Sequence, residues 1–149
     1  MNEAERRMAE LMPLAKKHGG NKVRALGYVF DSHAEYLRYL ELRNLLLAGE
    51  IRDLIVHPEY ELVPPQLDAR GASIPRLGYT ADFEYQEEGQ TVVEEVKAPI
   101  RYTATVSQRG KLGKRQAYRG TRTEAYRIRV NLFRRRFPAV QFREISMGR

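Results

Sequence analysis

The 149-residue chain contains no cysteine, which excludes disulfides and thiolate metal sites and fits a cytoplasmic protein. No apolar run approaches the roughly 20 residues needed to span a bilayer. The opening MNEAERRMAELM has no signal-peptide core, so export is not expected. His18, His33 and His57 are scattered and form no zinc spacing. The stretch Gly110 to Arg115 (GKLGKR) lacks both the G-x-x-x-x-G-K-[ST] spacing and a preceding apolar strand, which excludes nucleotide hydrolysis. Internal repeats and low-complexity segments are absent. Acidic residues are missing from one long stretch: between residues 98 and 136, twelve Lys/Arg stand against Glu124 alone.

What is present is enough for one domain with a real core. Hydrophobic residues make up 42% and charged residues 30% of the chain, a balance that folds. The net charge of +7 and a pI near 9.8 point to a polyanionic partner, of which nucleic acid is the usual one. The surplus is concentrated in the 98–136 stretch while the remainder is net acidic, so it is more than solubility charge.

Residues 2–17 read as a polar helix with Met8, Leu11 and Leu14 on one stripe, ended by His18-Gly19-Gly20. Val23 to Phe30 suits a short strand or a hairpin around Gly27. Asp31-Ser32 opens a helix over Ser32 to Ala48, closed by Gly49. Its apolar face takes Tyr36, Leu37, Leu40 and Leu47, with Tyr39, Leu42 and Leu46 one step round. Glu35 sits at the head of that face, where Ser32-x-x-Glu35 also reads as a capping box. A strand over Leu54 to Val63 follows, with Pro58 marking an edge or bulge. Residues 64–75 (PPQLDARGASIP) read as a loop, and Arg76 to Gln86 and Thr91 to Lys97 as two strands. A basic, glycine-dotted connection over 98–120 leads to a helix over Arg122 to Phe137, with Tyr126, Val130, Phe133 and Phe137 at helical spacing. Pro138 stops it, and Val140 to Ile145 alternates as a last strand. The order helix, three strands, helix, strand predicts an α/β fold with a mixed central sheet.

The chemistry concentrates in Tyr79 to Lys97, YTADFEYQEEGQTVVEEVK. Gly89 lies between two runs rich in Phe, Tyr, Val and Thr, a hairpin signal. With the loop at Glu88-Gly89, Asp82 falls opposite Glu95 and Thr80 opposite Lys97. Side chains alternate, so Thr80, Asp82, Glu84, Val93, Glu95 and Lys97 share one face. Ala81, Phe83, Tyr85, Val92 and Val96 share the other, the core-facing one, where Glu94 is a misfit that marks an edge or a helix contact. Directly opposed side chains have Cβ atoms about 5 Å apart. Two carboxylates at that distance repel unless a cation lies between them. Metal-assisted phosphodiester hydrolysis asks for this arrangement: carboxylates to hold Mg²⁺ and an ammonium group beside them. A cross-strand salt-bridge cluster on a solvated face is the alternative, and an Asp followed after twelve residues by Glu-x-Lys is a common pattern.

The succession FDSHAEYLRYLELRNLLLAGEIRDLIVHPEYELVP, YTADF, EEVK and AYRIRVNLFRRRFP resembles the domain of unknown function 1064 family of phages and prophages. That family is similar to a branch of the PD-(D/E)XK nuclease superfamily. The resemblance runs from Asn21 to Ile145. It implies a restriction-endonuclease-like core over 21–149, with residues 1–20 as a helical appendage and a basic insertion before the second core helix. It also implies Asp82, Glu95 and Glu35 as metal ligands and Lys97 as the catalytic lysine. Arg129 falls where relatives carry a lysine, which implies a phosphate contact; Tyr126 fits the same block and equally fits a core aromatic. Relatives pass from the Glu-x-Lys strand to the second helix in a few residues. Here the connection is long and basic, and a flexible DNA-binding loop is expected there.

The resulting expectation is a Mg²⁺-dependent DNA endonuclease in which Mn²⁺ can substitute. Arg109, Lys111, Lys114, Arg115, Arg119, Arg122, Arg127 and Arg129 are the expected DNA contacts. No base-reading motif is visible, so choice by DNA shape is expected. Similar small phage nucleases act on branched DNA as dimers, which implies a Holliday-junction resolvase and a homodimer, with no membrane or nucleotide partner. A general or nicking phage nuclease, or a non-catalytic DNA-binding protein on a nuclease fold, are the alternatives.

Overall fold

A computed structural model describes residues 22–106, 109–118 and 122–147, with the side chains of 101–106, 112 and 114–118 not included. The helix expected over residues 2–17 lies outside the described residues. The first hairpin pairs β1 (Val23–Ala25) with β2 (Tyr28–Phe30). Leu26 and Gly27 turn it, both at positive φ (53° and 84°), the backbone that a two-residue hairpin loop demands.

Helix α1 (His33–Leu47) starts at Ser32, whose Oγ accepts the Glu35 N–H at 3.1 Å. Glu35 answers by accepting the Asp31 N–H on Oε2 at 3.0 Å, so the expected capping box is present, shifted one residue outward. Gly49 at φ 77° closes the helix. Its N–H donates to the Leu46 carbonyl and that of Glu50 to the Leu45 carbonyl, a Schellman ending. The buried face is narrower than its leucines suggest: Glu35, Tyr36, Tyr39 and Leu42 are inside. Leu37, Leu46 and, at 77% exposure, Leu47 face outward. The sheet beneath is covered by the aromatic residues, leaving the leucines of the adjacent stripe nothing to pack on.

The central sheet has the order β12-β9-β8-β3, built from β3 (Ile51–Val56), β8 (Phe83–Glu87), β9 (Gln90–Lys97) and β12 (Gln141–Ser146). β12 runs parallel to β9 and the other pairs are antiparallel, so the sheet is mixed as expected. Glu88 and Gly89, at φ 48° and 80°, form the β8–β9 turn. Phe83 pairs with Glu94 and Glu87 with Gln90, the register that this loop predicts. Helix α2 (Glu124–Arg136) is capped by Thr123, whose Oγ1 accepts the Tyr126 N–H.

The expected strands 54–63 and 76–86 are each broken in two. β4 (Glu59–Val63) and β7 (Leu77–Thr80) pair in a separate two-stranded sheet, with breaks at His57-Pro58 and Ala81-Asp82. The pairing keeps step across the gap, since Val56 faces Phe83 on one side and Glu59 faces Thr80 on the other. One long ribbon is bent there rather than interrupted. The bend corrects the expected pairings of Thr80 with Lys97 and Asp82 with Glu95: Thr80 has left with β7, the β8–β9 register ends at Phe83 opposite Glu94, and Ala81 has moved off the Phe83 face. Within residues 64–75, β5 (Gln66–Leu67) and β6 (Ser73–Ile74) form a further small pair.

Residues 98–120, expected as a flexible loop, instead contain an antiparallel hairpin of β10 (Arg101–Val106) and β11 (Leu112–Tyr118). The β-branched and aromatic alternation of RYTATV, followed by Gly110 at φ 72°, accounts for the correction.

Both faces of the central sheet are covered. On one, Phe83, Tyr85, Val92 and Val96 pack with Phe30 and with Tyr36, Tyr39 and Leu42 of α1. On the other, Val93 packs with Leu62, Tyr79, Ala81 and Phe133 of α2. Glu94, fully buried on the α1 side, is the helix contact anticipated as one reading of this misfit. Arg38 grips it in a fork, Nε to Oε2 at 2.9 Å and Nη2 to Oε1 at 2.6 Å. The Tyr85 hydroxyl donates to Oε1 at 2.6 Å. Removing the arginine strands a buried carboxylate, so Arg38→Ala is expected to cost about 3–5 kcal/mol in urea unfolding. The double variant Arg38→Leu with Glu94→Leu recovers part of that loss; equal losses in both would show that the charge pair is not what matters.

Candidate metal centre

Four ionisable residues lie near the bend and the end of β9, and none is on a solvated face. Glu35, Glu95 and Lys97 are 6%, 8% and 9% exposed, and Asp82 is half-buried beside them. The salt-bridge alternative required a solvated sheet face, and helix α2 with Tyr79 covers that face instead.

Glu35 enters from the first turn of α1, held by its cap. Asp82 stands at the bend, its N–H donating to the Glu94 carbonyl at 3.1 Å. Its Oδ2 accepts the Val96 N–H at 2.6 Å, which fixes the carboxylate against β9. Glu95 and Lys97 project from the same face of β9. The Lys97 Nζ lies 2.8 Å from Glu95 Oε1, and the Tyr79 hydroxyl donates to Glu95 Oε2 at 2.6 Å. Lys97 also lies over the Tyr126 ring, 4.1 Å from its centroid. Tyr126, left open by the sequence between core and site, therefore forms the wall behind the lysine. Its hydroxyl donates to Glu144 at 2.7 Å.

The ligand atoms that gather within 4.8 Å of one another belong to Glu35, His57 and Asp82. Glu95 lies next to this group with both oxygens engaged by Tyr79 and Lys97. Burial pushes the Asp82 carboxyl from an ordinary 3.8 up to about 8, and the carboxylates of Glu95 and Glu35 add to the shift. Burial likewise raises Glu35, against the Asp31 N–H that favours its charged form. Negative charge is thus crowded here, the situation a divalent cation relieves.

His57 is the residue the sequence did not single out. Its Nε2 is buried without a hydrogen-bond partner, 3.6 Å from Glu35 Oε2. Its backbone lies at φ 54°, and its N–H donates to the Asp82 carbonyl at 2.9 Å. A non-glycine residue held in the left-handed region costs on the order of 1–3 kcal/mol and clusters at functional sites. Metal-ligand spacing along the chain could not reveal it, because His57 joins Asp82 only through the bent ribbon. The available signal was His-Pro within an otherwise strand-like run.

Of the expected DNA contacts, Arg129 lines a cavity of about 340 Å³ with Tyr79, Thr80, Glu95 and Tyr126. Arg127 faces a different groove, beside Glu124, Ile128 and Asn131. Arg122 is tied within the chain: it donates to Glu144 at 3.0 Å and to the Ala98 carbonyl at 2.7 Å. Arg109 and Lys111 are exposed in the β10–β11 hairpin. Arg119 and the side chains of Lys114 and Arg115 lie outside the described residues.

A family model described as a protein of unknown function (DUF1064) matches residues 15–119. The match takes in Glu35, His57, Asp82, Glu95 and Lys97 and stops short of α2. No curated protein and no solved structure matches the chain. No described helix is long and apolar enough to cross a membrane.

The raised Asp82 carboxyl has a consequence for the cation-free protein. Below about pH 4 the group is protonated whether the chain is folded or not. As pH rises, the unfolded chain ionises first while the folded one retains its proton. Stability therefore falls, by up to about 1.4 kcal/mol per pH unit from this one group. The loss ends near pH 8, where the folded carboxyl also ionises. Urea midpoints in EDTA at pH 5 and pH 8 are expected to drop further for the wild type than for Asp82→Asn. An identical drop in both would contradict the assignment.

Proposed function

Because the chain belongs to the DUF1064 family, whose function is unknown, we propose its activity from its own site: a divalent-cation-dependent DNA endonuclease of the PD-(D/E)XK kind. The observation that carries this reading is the convergence of two carboxylates, the buried Glu35 and the half-buried Asp82, beside the Glu95–Lys97 pair. The donor set fits Mg²⁺ or Mn²⁺, both of which accept carboxylate oxygens and keep waters for a substrate. The succession α1, β3, β8, β9, α2, β12 supports the same reading, since helix, three strands, helix and strand is the order expected of such a core.

In the proposed mechanism Glu35 and Asp82 would hold the cation, with Glu95 beside them as a further ligand. A bound cation supplies Lewis-acid activation of water and neutralises charge on the scissile phosphate. Lys97, held between Glu95 and the Tyr126 ring, orients the attacking water and donates to the phosphate as its charge grows. Arg129, which lines the same cavity as Glu95, holds a neighbouring backbone phosphate. The basic 98–136 stretch grips further phosphates, a sequence-independent and salt-sensitive contact. With no base-reading motif among the described residues, selection by DNA shape follows, and branched DNA bound by a homodimer is the proposed substrate arrangement.

The direct test is cleavage of four-way junction, flap, single-stranded and linear duplex DNA, with Mg²⁺ and with EDTA. Cleavage is expected with the cation, fastest on the junction. Asp82→Asn and Lys97→Ala are expected to slow it by about 10²–10⁴-fold. Cleavage that survives both substitutions would overturn the site. Binding without cleavage of any substrate would overturn the enzyme in favour of a DNA-binding module, and equal rates on all duplexes would replace junction selectivity with general nicking.

A further inference from the structure

We infer that His57 is itself a metal ligand, through Nε2, and that this nitrogen makes the site prefer Mn²⁺ and its first-row neighbours over Mg²⁺. The inference rests on the metal-dependent reading above and deepens it, since carboxylates alone would leave Mg²⁺ the natural occupant.

Three observations carry it. The first is a buried nitrogen without a partner: Nε2 is shielded from solvent and makes no hydrogen bond. Buried polar atoms are nearly always paired, so an orphaned nitrogen beside two carboxylates points to a ligand that all three share. The second is aim and distance. Nε2 lies 3.6 Å from Glu35 Oε2, too far for a good hydrogen bond. With metal–ligand bonds of about 2.1 Å, two ligand atoms sharing one ion lie about 3 to 4.3 Å apart. The three ligand atoms of Glu35, His57 and Asp82 fall within 4.8 Å of one another, close to that span before any ion draws them in. The third is the mounting. His57 is fixed to its neighbour by the N–H bond to the Asp82 carbonyl, and Phe30 packs near the ring at a centroid distance of 6.2 Å. The backbones that carry the imidazole and the Asp82 carboxylate are therefore tied to each other.

Donor chemistry then sets selectivity. Mg²⁺ takes oxygen ligands almost exclusively, whereas imidazole suits transition metals. One nitrogen with two carboxylates is a mixed set that favours the latter. Glu95, at present shared between Tyr79 and Lys97, is not required to complete this set.

The test uses the full chain, stripped with EDTA, and the metal ions alone. Mn²⁺ is expected to bind at least tenfold more tightly than Mg²⁺ in calorimetric titrations, and Asp82→Asn to weaken both. Pulsed EPR of the Mn²⁺-loaded wild type is expected to show coupling to an imidazole ¹⁴N. His57→Asn keeps a residue that tolerates the left-handed backbone and offers an oxygen in place of the nitrogen. It is expected to lose the ¹⁴N coupling and weaken Mn²⁺ at least tenfold, with Mg²⁺ affinity changed less than threefold. Asp82-dependent Mn²⁺ binding without nitrogen coupling in the wild type would overturn the role of His57 while leaving the metal-dependent reading intact. Failure of both cations to bind would overturn both. The wild-type spectrum decides the matter even where the variant folds poorly.

Discussion

Strand β9 is buried on both faces and still carries Glu94, Glu95 and Lys97 at its end, each less than 10% exposed. Every buried charge must find a counter-charge or hydrogen bonds. Glu94 finds Arg38 and Tyr85 on the α1 side. Glu95 and Lys97 find each other, with Tyr79 and the Tyr126 ring closing around them on the α2 side. The two helices are thus held to the sheet by polar anchors as well as by the aromatic packing between them. Asp82 and Glu35 are satisfied differently. Among the described residues neither meets a lysine or arginine in an ion pair; backbone N–H groups of Val96 and Asp31 serve them instead. Glu35 also lies 3.6 Å from the His57 Nε2.

The bent ribbon is what brings them together. β3 with β8 and β4 with β7 are segments of one antiparallel pairing, and the bend falls at His57-Pro58 opposite Ala81-Asp82. Proline at the bend removes a donor, yet its carbonyl still accepts the Ala81 N–H at 3.1 Å. The left-handed backbone of His57 turns the strand, and Asp82 is carried out of the sheet plane toward the helix that bears Glu35. The same bend sends Tyr79 across to Glu95 and opens the cavity that Arg129 lines. Strain at one residue and polar crowding at its neighbour coincide in space, which is the usual mark of a site built for work rather than for stability.

Much of this was legible in the residues. A turn at Glu88-Gly89 dictates the β8–β9 register, and the register with its two-residue alternation separates Glu95 from Glu94. Ser32 and Glu35 announce the start of α1. The sheet switch was only partly legible: Pro58 marked an edge or bulge, but Leu54 to Val63 and Arg76 to Gln86 each read as one strand. His57 was missed for the same reason. The leucines of α1 promised a broad buried face, but burial depends on what the opposite surface offers, and Leu47 meets none. Arg122 reads as one more cation of a basic stretch, whereas its bonds to Glu144 and the Ala98 carbonyl tie the start of α2 to β12 and to the end of β9.

The central claim is positional: one divalent ion shared by Glu35, His57 and Asp82. Crystals of the chain grown with Mn²⁺ and measured near the manganese absorption edge would locate it directly. The account predicts one strong anomalous peak within bonding distance, about 2.2 Å, of a carboxylate oxygen of Glu35, one of Asp82 and the Nε2 of His57. A peak bound to Glu95 and remote from His57, or no peak at the bend at all, would contradict it.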